Sequence, residues 1–141
     1  MNDQDKLAKQ VVDHMMMHDR FSQWLGIMVL EVKEGYSRIQ MEVRPEMVNG
    51  FGIAHGGIAF SLADSAFAFA CNNRNNLSVA LDTAINFTKA VNTGDTLTAE
   101  ATETHNGKST GVYLITIKNQ REEQVGFFKG TCFRTGKSLV Q

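Results

Sequence analysis

The sequence predicts an α+β fold in which a curved antiparallel sheet wraps around one long buried helix. Three observations carry this. Ile58 to Cys71 is almost entirely apolar or small, and a helix that is apolar all round is buried all round. Two runs with strand character precede it, and four follow it. One helix framed by six strands is satisfied by a sheet that uses the helix as its filling.

The elements follow in order. Residues 3 to 17 read as a helix, with Leu7, Val11, Val12, Met15 and Met16 at helical spacing, a face that docks on the core. Phe21 to Leu25 reads as a short turn that tucks Trp24 inward. Ile27 to Lys33 and Tyr36 to Val43 are strands joined by a tight turn at Glu34-Gly35. In the second, Ile39, Met41 and Val43 oppose Tyr36, Arg38, Gln40 and Glu42. Pro45, the only proline, stops it, and residues 46 to 57 form a loop with four glycines. The apolar helix runs to Cys71 and ends at the NNRNN of residues 72 to 76. Leu77 to Val91, Thr96 to His105, Val112 to Lys118 and Gln124 to Arg134 are the remaining strands, with Asn106-Gly107 a hairpin signal and residues 135 to 141 a loose tail.

A chain of 141 residues without repeat or linker is expected to be one domain, residues 1–141, with an N-terminal helix at about 3–17 and a core at about 22–135. Its net charge is −1, which gives no reason to invoke nucleic acid or an acidic membrane surface. The polar start MNDQDKLAKQ is unlike a secretory signal, no stretch is long and apolar enough to span a bilayer, and the expected compartment is the cytoplasm. Cys71 and Cys132 lie in no metal-like spacing, and His14, His18, His55 and His105 do not cluster with them. Both cysteines read as small buried hydrophobes, and neither a metal nor a cofactor is expected.

One residue departs from the pattern. Between Gly50 and Asn73, a stretch of 24 residues, Asp64 is the only Lys, Arg, Asp or Glu. A buried, unpaired carboxylate raises its pKa or finds a polar partner, and aspartate mid-helix costs about half a kcal/mol against alanine. Such a residue is kept for chemistry, bridges backbone within a core, or lies on a polar strip with Ser61 and Ser65. Just ahead stands His55-Gly56-Gly57. The first N–H groups of a helix are unpaired and carry the positive end of its dipole, and glycine admits a ligand close to them. Such amides can hold the oxygen of a polarised carbonyl. Asp64 follows Gly56 by eight residues, about 12 Å along a helix at 1.5 Å per residue. Both groups must lie about 3 Å from one carbonyl, so a single helix cannot supply both. If both act, the site is shared between two subunits related by a two-fold axis.

Asn49-Gly50, His55-Gly56-Gly57 and Leu62-Ala63-Asp64-Ser65-Ala66-Phe67-Ala68 together resemble the signature of hotdog-fold thioesterases of the phenylacetate-degradation (PaaI) type. Ile85-Asn86-Phe87, Gly94 to Ala99 and Gly107 to Tyr113 fit as well, so the likeness spans about residues 22 to 135. The resemblance implies hydrolysis of an aryl or medium- to long-chain acyl-CoA to the free acid and CoA, by a homodimer or a dimer of dimers. It implies Asp64 as nucleophile or general base, Gly56 as the oxyanion amide, and Asn49 and His55 as assisting groups. Gly57, Thr83 and Phe67 are the expected substrate contacts, with Ala80 an alternative to Thr83 for a hydroxyl position that Ala80 could not supply. Phe51, Ile53 and Phe60 are further candidates for the acyl pocket. CoA enters as part of the substrate, its phosphates expected at surface basic residues among which Lys89, Lys108, Arg134 and Lys137 are all available. Thr88-Lys89-Ala90-Val91 stands where many relatives carry proline.

Two rivals remain at this stage. A hotdog hydratase or dehydratase resembles an acid–histidine pair set close together, whereas His55 precedes Asp64 by nine residues. A non-catalytic acyl-CoA sensor would keep the pocket without needing the carboxylate.

Overall fold

The computed structural model describes residues 1–141. Helix α1 (Asp3–His18) opens on Asn2, whose side chain accepts the Asp5 N–H, and it buries Ala8, Val11 and Val12. Met15 and Met16 pack against the core from the same helix, as the spacing predicts. The short run that follows is a helix, α2 (Arg20–Leu25), and Trp24 does not point inward. Ser22 and Leu25, three apart, take the inner face of its single turn. Phe21 and Trp24, also three apart, take the outer one, where their rings stack at 6.0 Å and the Arg44 guanidinium lies 5.3 Å from the indole.

Six antiparallel strands form one sheet: β1 (Met28–Lys33), β2 (Tyr36–Glu42), β3 (Ser78–Phe87), β4 (Thr96–Asn106), β5 (Thr110–Lys118) and β6 (Gln124–Arg134). Their order is β1-β2-β4-β5-β6-β3. The β1–β2 turn places Gly35 at φ 71°, a conformation that favours glycine. Alternation along β2, β4 and β5 turns Ile39, Met41, Leu97, Ala99, Tyr113, Ile115 and Ile117 to the inside. Against that face lies helix α3 (Gly56–Asn72), burying Leu62, Ala63, Ala66, Phe67, Phe69 and Ala70. The expected filling is therefore the observed one.

The asparagines after α3 do more than end it. Asn73 accepts the Gly35 N–H and donates to the carbonyls of Lys33 and Tyr36, tying the helix to the β1–β2 turn. Asn72 exchanges hydrogen bonds with the Ser78 backbone and so sets the start of β3. Residues 135–141 are not a loose tail. Leu77 N–H donates to the Lys137 carbonyl, and Asn75 accepts the Leu139 and Val140 N–H groups. Side-chain amides in a left-handed turn (Asn75, φ 66°) supply partners that periodicity does not reveal.

Strand β3 stops at Phe87, short of the expected Val91. It is an edge strand, bulged near Leu81, and exposes Val79, Leu81 and Phe87. Its apolar run anticipates burial that the single chain does not provide.

Candidate active site

The loop ahead of α3 is built by Asn49. Its Oδ1 accepts the Phe51 N–H at 2.8 Å, while its backbone N–H donates to the Ile53 carbonyl at 2.7 Å. The loop returns on itself through a bridge between Val48 and Ala54. His55 then caps α3: its Nδ1 accepts the Gly57 N–H at 2.9 Å. That bond requires Nδ1 to be unprotonated, so the neutral ring carries its proton on Nε2. It also occupies the Gly57 amide, which leaves Gly57 no N–H for a substrate. The Gly56 N–H has no acceptor in the chain. An open donor at the positive end of a 17-residue helix is the arrangement an oxyanion requires.

A cleft of about 430 Å³ opens at this point. Asn49, His55 and Gly56 line one wall, with Ile53 and Ala59, and the segment Phe87 to Val91 lines the other. The Phe87 ring lies so close to Gly56 that a Cβ there would sit 3.1 Å from it, so glycine is needed for the approach. Of the expected site residues, the fold thus brings Asn49, His55 and Gly56 together.

Asp64 lies elsewhere. It is half-buried two turns along α3, and no group of the chain hydrogen-bonds its carboxylate. It neither caps nor bridges backbone, and Ser65 is turned inward to Ser22 rather than sharing a solvated strip. Burial pushes the Asp64 carboxyl above the usual carboxylate range, and the negative charge of Asp19 adds to the effect.

The remaining expectations divide. Thr83 is partly buried on β3 opposite Gly130 of β6, away from the cleft. Phe67 is 2% exposed and packs on Tyr113 and Phe128, so it belongs to the core instead of a binding wall. The reason is Gly130, whose missing Cβ leaves the space the Phe67 ring fills. Phe60 packs edge-on against Phe128, and Phe51 is exposed. Arg134 is withdrawn from any phosphate. It is buried and donates to Cys71 O, Gly107 O, Ser78 Oγ, Asn106 Oδ1 and Tyr113 Oη. Lys89 lines the cleft and pairs with Glu123 at 3.2 Å.

Sequence reasoning assigned no role to Phe87 or to the Asp19–Ser22–Ser65 cluster. For the latter a local signal exists, because Asp just ahead of the apolar spacing of Phe21, Trp24 and Leu25 is an N-cap residue.

The thioesterase superfamily model matches residues 51–125, more than half of the chain. This chain belongs to the thioesterase superfamily. The thioesterase is 42% identical over 133 residues to the acyl-coenzyme A thioesterase PaaI of Escherichia coli K12, a match covering 94% of this chain and 95% of that protein. The solved structure of E. coli PaaI superposes with a TM-score of 0.94 at 40% identity, covering 96% of this chain and 99% of that one. A Streptococcus mutans protein solved with acetyl CoA superposes at 0.77 with 30% identity, covering 79% and 90%. The thioesterase accordingly has the hotdog fold and is a thioester hydrolase.

Proposed function

We propose that the thioesterase hydrolyses an acyl-CoA to the carboxylic acid and CoA, at a site that joins the Gly56 end of α3 in one subunit to Asp64 in another. The observation that carries this reading is the separation of two incomplete halves. The cleft holds an open amide and no acid. Asp64 is an acid of raised pKa with no partner. The exposed apolar edge strand β3 supports a second copy beside it, since an uncovered strand edge of this kind is otherwise an aggregation hazard.

In the reaction, the Gly56 N–H polarises the thioester carbonyl. Asp64 takes a proton from water as its oxygen bonds the carbonyl carbon. The tetrahedral oxyanion collapses and expels CoA thiolate, a leaving group that needs no strong acid. The raised basicity of Asp64 serves this route and direct attack by the carboxylate alike. A single turnover in 18O-labelled water tests for direct attack, because label enters the Asp64 side chain only when water opens an Asp64–acyl anhydride at the aspartyl carbonyl. The scheme uses no metal or cofactor.

Two experiments test the reading. Thiol release is measured on short, long and aromatic acyl-CoAs; no release from any of them, with tight binding retained, would favour a sensor. Subunit sharing is tested by mixing D64N with G56P. Proline is tolerated at the first helical position, and the His55 backbone (φ −60°, ψ 139°) already suits a following proline, so G56P removes the amide hydrogen and keeps the helix start, while its Cβ, 3.1 Å from the Phe87 ring, obliges that ring to give way. Each variant alone is inactive. Random mixing yields one intact site per heterodimer, about a quarter of wild-type activity, if the site is shared. No recovery on mixing refutes sharing.

A further inference from the structure

The geometry points to Asp19 as a positioning residue for the catalytic carboxylate, held beside α3 by a chain of hydroxyls running Ser65 to Ser22 to Asp19. This rests on the reading of Asp64 as the base. Asp19 is the junction of α1 and α2. Its Oδ1 caps α2 by accepting the Ser22 N–H at 2.9 Å, and its Oδ2 accepts the Ser22 hydroxyl at 2.6 Å. Ser22 Oγ lies 2.8 Å from Ser65 Oγ, with both serines buried.

Counting protons fixes the direction of this chain. A hydroxyl has one hydrogen, and a carboxylate can only accept. The Ser22 hydrogen is spent on Asp19, so Ser65 donates to Ser22. The result is a buried, directional link that ends on a negative charge and begins at the residue next to Asp64. It pins α2 to α3 and fixes the Asp19 carboxylate beside the turn of α3 that carries Ser65 and Asp64.

Asp19 is the one charged side chain that acts appreciably on Asp64, after burial itself. On the strands facing α3, the buried titratable groups are Tyr113, Cys132 and Arg134. With Glu103 and Cys71 they form a separate network toward the far end of the helix. Helix α1 leaves His14 and His18 exposed. A like charge disfavours the ionised form of a carboxylate and makes it a stronger base. Asp19 therefore adds to the basicity that burial gives Asp64 and shifts the lower pH bound of activity upward.

The test is the pH profile of kcat/KM on an acyl-CoA, followed by loss of thioester absorbance, for wild type, D64N, D19N and S22A. Asn is as good an N-cap as Asp, so D19N removes the charge and keeps the helix start. D19N should move the acid limb to lower pH, retaining about a fifth or more of its own plateau where wild type has fallen to about a tenth. Its plateau should drop modestly as basicity is lost. S22A keeps the charge but frees it, and its limb should fall between the two. An unmoved limb in D19N, with D64N inactive, overturns the proposal and leaves the Asp64 reading standing. So does a lowered melting temperature in both variants with no movement of the limb, which would make Asp19 a cap only. Near-normal rates in D64N overturn the Asp64 reading itself.

Discussion

Replacing Asp64 by Asn separates chemistry from stability. The side chains are almost isosteric and both are modest helix formers, so α3 has no reason to move. What changes is a charge that is half-buried, receives no hydrogen bond and feels the negative charge of Asp19. A folded-state pKa above the unfolded value, near 3.9, means that ionised Asp64 opposes folding. Stability is then whole below about pH 4 and is lost as pH rises through the folded-state pKa. Asn carries no such penalty. Relieving a destabilised active-site group gains on the order of 0.5–2 kcal/mol. Water reaches part of this carboxylate, which places the expected gain at the lower end, about 0.5–1 kcal/mol. For a chain of this size that is about 2–3 °C in melting temperature. Thermal unfolding by circular dichroism between about pH 4 and pH 8 reads it directly. D64N should melt higher than wild type at neutral pH, with the gap closing toward pH 4, while thioester hydrolysis is lost throughout. A variant less stable than wild type at neutral pH, or a gap independent of pH, would mean that the carboxylate is held by favourable contacts and that the electrostatic reasoning is wrong.

Three further outcomes are expected. H55A should lose about 1 kcal/mol by removing the acceptor for the Gly57 N–H, and H55N, which restores a cap, should recover it in a thermal melt; an alanine variant as stable as wild type would remove the imidazole from that role. G130A places a Cβ 2.8–2.9 Å from three Phe67 ring atoms, and Phe67 is too buried to yield, so it should cost about 1–3 kcal/mol by urea unfolding. Adding F67L should relieve part of that loss, and strict additivity of the two changes would refute the clash. Glu103 is pushed up by burial, but hydrogen bonds from Arg74 and Tyr113 outweigh this and hold its carboxyl below the usual range. Its contribution is therefore present above about pH 4.3 and lost as pH falls through the lower folded-state value, so E103Q should flatten the acid side of the stability curve.

The chain sequence by itself determined the elements and the anomaly within them. Apolar spacing every three or four residues in α1, strict alternation in β2 and β5, and the all-apolar run of α3 are local patterns. A local pattern survives into the fold when one face of each element is buried. Asp64 was legible for the same reason: a charge stands out against an apolar background. The Asn49–Gly56 loop was legible through its glycines and the resemblance they carry. Tertiary structure alone decided which groups meet. The crossover that sets β3 beside β6 left an apolar strand at an exposed edge. The facing of α2 turned Trp24 outward and Ser22 onto Ser65. The space above Gly130 drew Phe67 into the core, and a ring of five acceptors drew in Arg134, a residue that sequence alone leaves at the surface. These outcomes depend on partners dozens of residues away. Their energies come from shape and from hydrogen-bond satisfaction at contact distance, and neither is written in the periodicity of a single segment.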